Sequence, residues 1–555
     1  MKQRQDLIEA LRRGAGDGLV LIVGGGINGT GVLRDLAAQG VAAVLVERAD
    51  FASGTSSAPS RLIHGGLRYL ETGEFALVRR SVEERNHLLM NAPHQVRPIP
   101  VWVPVLSWTG GALAAGLRFL RLKRDPGAKG ALVVRLGLWV FDRFGEVRRS
   151  MPRHRQIAMT EARSRFPNLS RRVRAVLEYY DARISSPERL TLEVAADAEA
   201  DCPASMAINY LELTGRQGDR VVLTDRLTGD SMTIRPALVV NCAGAWVDPV
   251  DAGIGIPERL TGGTKGSHLV LDRPDLADQL GDAMLYFETS DFRACLAYRL
   301  DGGKVILGTT DLRCDDPDPA GCTEAEIAYL FRVLEEVMPG ANARREDIIH
   351  TFTGVRPLPL SSASATGAIS RDHSLRNFEP AGDRPFAVLT LVGGKWTTYR
   401  ACAAQIADAV LDRIGQKRRR STLELQIGGG AGLPADPAGQ DRIIGRIAEK
   451  SGLATGDAAI LLARYGMTAL RIADSFAARP RPIAALPGYW HEEIEWLCRN
   501  ERVVRLEDLV LRRTLIAFEG LASRAGVTEL ARIAAPVLGW SPDRTRRKST
   551  PRSRF

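Results

Sequence analysis

The chain has 555 residues, 45% of them hydrophobic and 25% charged, and a formal net charge of +10. This length predicts two or three domains, and the composition is typical of a globular protein rather than a disordered or fibrous one. No run of 18 apolar residues occurs, so we expect no transmembrane helix. Seven cysteines without a CxxC pair or metal-ligand spacing predict a reducing compartment, no structural disulfide and no metal site.

The positive charge is concentrated in two segments. Residues 107–155 contain eleven basic and three acidic residues, and residues 541–555 contain six basic residues and one acidic residue. The rest of the chain is slightly acidic, so we expect no nucleic-acid binding. Residues 541–555 are predicted to be a disordered basic tail.

The first predicted elements are a helical extension over residues 1–18 and a βαβ unit. The extension is charged and has no apolar run, so we expect no secretory signal. "GLVLIVGGGINGTG" is a β-branched run that ends in a GxGxxG motif at Gly24, Gly26 and Gly29, and Glu47 ends the second strand. Glycines at a strand-to-helix turn allow a pyrophosphate to approach the backbone, and the acid suits a ribose hydroxyl. The unit therefore predicts dinucleotide binding.

Later segments alternate between strands and helices. Strand patterns occur in "DRVVLTDRLTGDSMTIRPALVVNCAGAW", "KGSHLVL", "GGKVILGTTD" and "FAVLTLVGG", which predicts a sheet completed by distant parts of the chain. After Gly394, apolar residues recur at every fourth position from Cys402 to Ile414, as in an amphipathic helix. Residues 428–440 are rich in Gly, Pro and Ala and predict a linker. Residues 441–540 contain only helix patterns and predict a small helical domain.

Seven motifs, in chain order, carry a family resemblance. They are "VGGGINGTG", "TSSAPSRLIHGGLRYLE", "TKGSHLV", "ILGTTD", "TGVRPL", "ISRDH" and "GGKWTTYR". Together they resemble the FAD-dependent, aerobic respiratory glycerol-3-phosphate dehydrogenases, which have the D-amino-acid-oxidase-like flavoprotein fold. The resemblance extends from about residue 18 to about residue 514. The family usually has lysine where Arg61 stands and leucine where Trp396 stands.

The resemblance implies a fold class and a domain plan. We predict an α/β (α+β) protein with a Rossmann-like FAD-binding domain, an interleaved β-rich substrate domain and a C-terminal all-helical domain. The oxidoreductase region is expected over 19–420. Its FAD-binding parts are predicted at about 19–95, 180–262 and 350–420, and its substrate parts at about 96–179 and 263–349.

The residues expected to hold FAD lie in four segments. The glycine-rich turn and Glu47 would hold the adenosine diphosphate half, and the other segments would surround the flavin or pass beneath the adenosine. The predicted cofactor-binding residues are Gly24, Gly26, Asn28, Gly29, Glu47, Ser53, Thr55, Ser56, Ser57, Gly65, Gly66, Ala243, Gly244, Gly394, Lys395, Trp396 and Thr397.

The expected reaction is oxidation of glycerol 3-phosphate to dihydroxyacetone phosphate. Arg356 and Arg371 have planar guanidinium groups suited to a phosphate, and by resemblance they bind it, with Arg68 and Tyr69 contacting other substrate oxygens. His64 is the first candidate for the base, because a neutral imidazole can accept a proton, and His268 is the rival candidate. Lys395, near a predicted helix start, would stabilise negative charge on the flavin and contact the substrate.

The expected electron acceptor is ubiquinone or another membrane quinone, so the enzyme should reach a bilayer. Residues 108–145 combine aromatic and leucine side chains with arginines and lysines, which suits an interfacial helix on anionic lipid. The alternative interpretation is two core helices with solvated basic faces. We therefore expect a cytoplasmic protein bound peripherally to the inner membrane, and we consider a homodimer as its assembly.

Three other functions fit part of the pattern. A glycerol-3-phosphate oxidase would share the fold and substrate but use oxygen and make peroxide. An NAD-dependent dehydrogenase would also need GxGxxG and Glu47, but it would be colourless when purified. A nucleic-acid-binding module would rest only on the sequence pI of 9.4 and the basic tail.

Overall fold

The computed structural model describes residues 1–70, 73–108, 131–144, 151–289, 293–318, 321–361, 369, 371–476 and 479–541. Two large sheets, one small sheet and a C-terminal group of helices make up this part of the chain. The helices are α1 (Arg4–Arg12), α2 (Ile27–Ala38), α3 (Phe75–Asn91), α4 (Ala131–Phe144), α5 (Met159–Arg165), α6 (Pro187–Asp201), α7 (Val247–Gly253), α8 (Pro274–Leu280), α9 (Glu324–Val337), α10 (Tyr399–Arg413), α11 (Pro437–Ser451), α12 (Thr455–Tyr465), α13 (Thr468–Ala473), α14 (His491–Asn500), α15 (Leu506–Asp508) and α16 (Arg524–Leu538).

The strands alternate with these helices along the chain. They are β1 (Val20–Val23), β2 (Ala43–Glu47), β3 (Leu62–Ile63), β4 (Val96–Val105), β5 (Arg155–Ile157), β6 (Ala175–Ile184), β7 (Met206–Asn209), β8 (Leu211–Gln217), β9 (Arg220–Asp225), β10 (Ser231–Ile234), β11 (Leu238–Asn241), β12 (Thr264–Leu271), β13 (Met284–Glu288), β14 (Ala294–Arg299), β15 (Val305–Gly308), β16 (Leu312–Arg313), β17 (Ile348–Arg356), β18 (Ser374–Phe378) and β19 (Ala387–Val392).

The first large sheet is built around the βαβ unit. Its six strands have the order β18-β19-β11-β1-β2-β7, and all neighbours are parallel except β18 and β19. Every residue of β1 is buried, as expected for a parallel strand covered on both faces. Helices α2, α6 and α10 pack on one face, and α1 with β8, β9 and β10 packs on the other. The prediction that distant segments complete this sheet is confirmed by β11 and β19.

The second large sheet has ten strands. Eight of them have the order β16-β12-β15-β14-β13-β4-β6-β3, while β17 pairs with β12 and β5 pairs with β6. Helices α8 and α9 bury apolar residues against one face, and α3 and α4 pack into a second apolar cluster. Strands β3 and β17 belong to this sheet, although our boundaries of 19–95 and 350–420 assigned most of their residues to the FAD-binding parts. The pairing of an edge strand depends on its spatial neighbours, which local patterns do not specify.

The C-terminal helices form their own apolar core, which continues into the ten-stranded sheet. Val270 of β12 belongs to this core, and Ile349 and Phe352 of β17 pack against it. The segment 428–440, predicted as a linker, begins with a 3-10 turn whose residues Gly429 and Gly430 are buried. The connection is therefore packed against the body of the protein at its start.

Candidate active site

A cavity of about 1450 Å³ is lined by residues of both large sheets. Val23, Val46 and Leu391 of the six-stranded sheet lie along it, as do Tyr179 and Met284 of the ten-stranded sheet. Because strands distant in sequence reach one cavity, the site depends on the complete tertiary structure. Its two ends differ in chemistry, since one is formed mainly by backbone and the other by cationic side chains.

The backbone end is the turn between β1 and α2. Gly24 has a φ of +108°, and a Cβ atom there would lie 2.6 Å from the carbonyl oxygen of Cys242. A Cβ atom at Gly29 would lie 2.0 Å from the carbonyl oxygen of Gly24. Gly26 has no side chain to cap α2, and Ser56 Oγ accepts a hydrogen bond from the Ile27 N–H at 2.9 Å, so the other N–H groups at the start of the helix would meet an anion.

Glu47 fixes the same turn from the end of β2. Its Oε2 accepts a hydrogen bond from the Gly25 backbone N–H at 2.7 Å, and its Oε1 accepts one from Ala49 at 2.8 Å. Burial raises the pKa of the Glu47 carboxyl. Glu47 lines the cavity, so the carboxylate predicted to bind a ribose also holds the glycine turn in place.

The cationic end contains two arginines that share one carboxylate. Arg356 Nη1 lies 3.1 Å from Asp311 Oδ1, and Arg371 Nη2 lies 3.6 Å from Asp311 Oδ2. Gly266 makes room for the Arg356 guanidinium, because a Cβ atom there would lie 2.3 Å from Arg356 Nη2. Burial lowers the pKa of Arg356, which the Asp311 charge opposes. A bidentate anion would satisfy both guanidinium groups.

Lys395 also lines this end of the cavity. Its buried Nζ forms no hydrogen bond within the described part of the chain, and it lies 3.7 Å from the centroid of the Tyr69 ring. Burial is the main cause that lowers the pKa of Lys395 to about 7, and the positive charge of Arg371 acts in the same direction. An unsatisfied buried cation is costly, which indicates that Lys395 is placed to meet a ligand.

Both candidate histidines line the cavity but are held differently. His268 Nε2 lies 2.7 Å from Ser60 Oγ, and its ring is stacked on Phe352. Among the described residues, the aromatic neighbour of the His64 ring is Tyr69, with centroids 6.2 Å apart. Burial, with the Lys395 and Arg371 charges, lowers the pKa of His64 to about 3. Burial, with the Arg356 and Arg61 charges, lowers the pKa of His268 to about 3.

Most of the residues predicted to form the site line this cavity. Gly29, Ser57 and Gly65 do not. Gly29 instead permits close packing within the turn, and Gly65 packs against Phe141, which a Cβ atom would approach to 2.4 Å. The hydroxyl of Ser57 donates to the carbonyl oxygen of Gly54. The side chain of Arg68 lies outside the described residues.

Sequence reasoning missed several polar groups of the cavity. Asp311 lies in the "ILGTTD" motif, but no sequence pattern indicates that it pairs with Arg356 and Arg371, which lie 45 and 60 positions further along the chain. Asp318 was missed entirely: it binds Arg48 at 2.7 Å and the Trp246 Nε1–H at 2.9 Å. These three residues come from separate segments, so no local pattern connects them.

The described residues fit a flavin dinucleotide on two independent grounds. The glycine turn and the first turn of α2 leave backbone N–H groups for a pyrophosphate. Three buried polar atoms of cavity-lining residues, Asn28 Oδ1, His268 Nδ1 and Lys395 Nζ, have no hydrogen-bond partner within the described part of the chain. Buried polar groups normally have partners, so these three atoms indicate a polar occupant.

Comparison with known proteins agrees with this geometry. Residues 20–409 match the family model described as FAD-dependent oxidoreductase, and residues 420–545 match the one described as the C-terminal domain of alpha-glycerophosphate oxidase. The first model alone covers more than half of the chain.

Relatives and a solved structure show the same similarity. The chain is 35% identical to a glycerol-3-phosphate dehydrogenase of Synechocystis sp., over 72% of this chain and 70% of that protein. It is 31% identical to glycerol-3-phosphate dehydrogenase 2 of Mycobacterium tuberculosis, over 94% of this chain and 85% of that protein. The fold is similar to that of the Bacillus halodurans glycerol-3-phosphate dehydrogenase solved with FAD, with a TM-score of 0.73 at 23% identity, over 99% and 96% of the two chains.

Proposed function

Since the chain belongs to the FAD-dependent glycerol-3-phosphate dehydrogenase family, we propose that it oxidises sn-glycerol 3-phosphate to dihydroxyacetone phosphate. The observation that carries this proposal is the convergence of Arg356, Arg371 and Lys395 at one end of a dinucleotide cavity. Two guanidinium groups that share one carboxylate, Asp311, together with the amine of Lys395, suit a small dianion attached to an alcohol.

FAD would be held by the β1–α2 turn, Glu47 and the segments around Ser56, Gly66 and Gly394. When bound, it supplies two-electron redox chemistry, accepting the electrons removed from the substrate and passing them to an acceptor. The backbone N–H groups at the start of α2 bind the pyrophosphate. Gly66 lets the chain pass close to the site, because a Cβ atom there would lie 2.4 Å from the Tyr69 ring and 3.5 Å from Lys395 Nζ.

The substrate phosphate binds to the Arg356 and Arg371 guanidinium groups and displaces part of their interaction with Asp311. Lys395 then contacts a substrate oxygen or the negative charge that develops beside it. The reaction removes a proton from the C2 hydroxyl and a hydride from C2, which forms the ketone. Binding of the phosphate to the two arginines fixes the C2 hydroxyl relative to the base, which lowers the entropic part of the barrier.

The geometry favours His268 over His64 as the base. A general base must be neutral and held in a fixed orientation. His268 is held by Ser60 and by stacking on Phe352, and its lowered pKa leaves the imidazole neutral at physiological pH but a weaker base than an ordinary histidine. His64 is also neutral, but its ring has no comparable support among the described contacts. The hydroxyl proton passes to His268 directly or through the Ser60 hydroxyl.

The function is tested by adding sn-glycerol 3-phosphate to the purified yellow protein without oxygen. We expect the flavin absorbance to bleach. Glycerol at the same concentration, which lacks the phosphate, should leave the colour unchanged. Persistent colour with both compounds would disprove the proposed activity. Admitting air or a soluble quinone to the bleached protein, and measuring peroxide, then separates an oxidase from a dehydrogenase.

The identity of the base is tested with His268→Ala and His64→Ala. We expect His268→Ala to slow bleaching about 100-fold or more, as is typical for loss of a general base, and His64→Ala to slow it less than about tenfold. Stopped-flow absorbance between pH 6 and pH 9 measures both rates. The reverse ranking would assign the base to His64.

We further propose that the acceptor is a membrane quinone and that α4 contacts the lipid surface. Leu136 and Trp139 of α4 are 63% and 57% exposed, and Leu106 and Trp108 are also exposed. Arg135 and Arg143 lie on the exposed part of the same helix. Exposed apolar side chains beside cations suit an anionic lipid interface.

Part of the predicted membrane segment is placed differently or lies outside the description. Phe141, expected to contribute to this surface, is buried in the core. Leu117, Phe119, Leu120, Arg118, Arg121, Lys123 and Arg124 lie outside the described residues. No helix of the described chain is long and apolar enough to cross a bilayer, so contact would be made from one side.

Flotation with anionic phospholipid vesicles tests this contact. We expect the double variant Arg135→Glu/Arg143→Glu to reduce the vesicle-bound fraction severalfold, since each basic residue near the surface contributes to binding. Arg442→Glu/Arg446→Glu on α11 makes the same charge change at exposed positions elsewhere and should bind like the wild type. Equal partitioning of all three proteins would disprove the proposed surface.

A further inference from the structure

His268 lies within the ten-stranded sheet between two very different neighbours. On β15 its paired residue is Gly308, and on β17 its paired residue is Phe352. A Cβ atom at Gly308 would lie 2.1 Å from His268 Cδ2, so the glycine leaves space for the imidazole. The Phe352 ring is nearly parallel to it, with centroids 4.7 Å apart and an angle of 6°.

Hydrogen bonding fixes the imidazole on one side only. Nε2 is bound to Ser60 Oγ, whereas the buried Nδ1 has no partner within the described part of the chain. A histidine is usually held in one orientation by a hydrogen bond to its second ring nitrogen. Here the Phe352 ring and the position of Ser60 must supply that constraint.

Phe518, from the C-terminal helical domain, contacts Phe352 and the residue that follows Ser60. Its ring centroid lies 5.4 Å from that of Phe352. The Arg61 guanidinium carbon lies 3.7 Å from the Phe518 ring centroid, and Arg61 directly follows Ser60. One side chain of the helical domain therefore packs against Phe352 directly and against Ser60 through its neighbour Arg61.

Other contacts hold the Arg61 side chain in place beside Phe518, so a change at Phe518 can reach Ser60. Arg61 is buried, with Nη2 bound to Glu188 at 2.9 Å and Nη1 bound to the carbonyl oxygen of Ser185. The hydroxyl of Tyr298 donates to the carbonyl oxygen of Ser60 at 3.0 Å. The loop that carries Ser60 is thus fixed by the sheet on one side and by Phe518 on the other.

We propose that Phe518 is a positioning residue for His268, so that the C-terminal helical domain completes the support of the active site. This inference rests on the proposed function, in which His268 accepts the substrate proton. The helical domain would then be required for catalysis even though Phe518 does not line the cavity.

The test compares Phe518→Leu with the wild type, both as the FAD-bound protein. Leucine keeps an apolar side chain but removes the ring that contacts Phe352 and Arg61.

The charged groups that act on His268 are Arg356 of β17 and Arg61, and burial acts with both to keep its pKa low. His350, which also packs against Phe518, has its pKa lowered to about 4 by burial and therefore adds no charge at neutral pH.

We expect looser packing to admit water and to raise the pKa of His268 towards the ordinary value. Histidine-labelled protein measured by NMR gives this titration, with His268→Gln to assign the signal. The bleaching rate at saturating sn-glycerol 3-phosphate should fall about fivefold or more, because a small displacement of a reacting group is costly. The KM should change less than about twofold, and the acid limb of the pH profile should move to higher pH.

Two variants serve as controls. Phe476→Leu removes an aromatic ring that packs on Trp490 in the same domain, and it should leave the His268 titration and the acid limb unchanged. Phe518→Tyr retains the ring and should restore most of the wild-type behaviour. Should Phe518→Leu fail to fold, Phe518→Met, which retains more side-chain length, is measured in its place.

A His268 titration and an acid limb identical in Phe518→Leu and wild type would overturn the inference. So would a shifted titration with an unchanged bleaching rate, because Phe518 would then be only a packing residue. Failure of the proposed function is seen separately, as wild-type protein that does not bleach with sn-glycerol 3-phosphate. The NMR titration still decides, in that case, whether Phe518 controls the imidazole.

Discussion

Replacing Lys395 with methionine is expected to stabilise the protein in the absence of substrate and to remove nearly all of its turnover. The buried Nζ has no hydrogen-bond partner within the described part of the chain, and burial together with the Arg371 charge lowers the pKa of Lys395 to about 7. Methionine has a similar shape without the charge. We expect the free energy of unfolding to rise by roughly 1–3 kcal/mol, the usual cost of an unsatisfied buried polar group.

The gain in stability expected for Lys395→Met depends on pH. Between the lowered pKa of about 7 and the ordinary lysine pKa, the unfolded chain binds more protons at this position than the folded one. Wild-type stability therefore rises with pH over this interval. The advantage of Lys395→Met should be largest below pH 7 and should shrink as the pH rises. Thermal unfolding at several pH values, with neither FAD nor substrate bound, measures it.

Turnover of Lys395→Met should fall about 100-fold or more, since Lys395 supplies charge where the reaction develops it. Lys450→Met is the matched control, because Lys450 is 39% exposed and its partner Asp474 is 57% exposed. That variant should change both stability and turnover little. A Lys395→Met protein that is less stable than wild type at pH 6 would show that the amine has a stabilising partner.

The parts of the site that could be predicted are those that local sequence patterns or motifs specify. Gly24, Gly26 and Glu47 act through local backbone chemistry, so their spacing alone identified the dinucleotide turn. Arg356, Arg371 and Lys395 were identified by motif resemblance, and the structure brings all three into one cavity. The cost of placing Lys395 there depends on burial, which no local pattern reports.

Contacts between distant segments could not be predicted. The bond between His268 and Ser60 joins residues 208 positions apart, and the Phe518 contacts join the helical domain to the ten-stranded sheet. The helical domain was recognised from its periodicity, but its docking surface depends on which apolar faces meet. Helix periodicity specifies one buried face, not the partner that buries it.

A buried ionic network also connects the helical domain to Asp50, which lies three residues after Glu47 at the end of β2. Asp50 is fully buried and binds Arg513 through both oxygens, at 2.6 and 2.9 Å. Arg512 Nε donates to Asp50 at 2.6 Å, and Asn209 Nδ2 donates at 2.9 Å. Burial alone would raise the pKa of Asp50, but the Arg513 and Arg512 charges outweigh it and lower the pKa well below its ordinary value.

The variant Asp50→Asn is therefore expected to destabilise the protein by about 3–5 kcal/mol, the usual cost of breaking a buried ion pair from one side. The amide keeps the shape but leaves two buried guanidinium groups with less negative charge. Because the native pKa of Asp50 is lowered, its contribution is complete above the ordinary aspartate pKa and is lost as the pH falls through the native one. The difference between the variant and wild type should accordingly shrink in strong acid.

Asp50→Asn should also weaken retention of FAD. The Ser53 N–H donates to the carbonyl oxygen of Asp50 at 3.1 Å, and the Ala52 N–H donates to the carbonyl oxygen of Gly25 at 3.0 Å. A displacement of Asp50 is therefore expected to shift the glycine turn as well. The ratio of flavin to protein absorbance after gel filtration measures this loss. Asp230→Asn breaks an exposed pair with Arg12 and should cost no more than about 1 kcal/mol with normal FAD content. An Asp50→Asn protein with wild-type stability and full FAD content would show that the helical domain docks independently of this network.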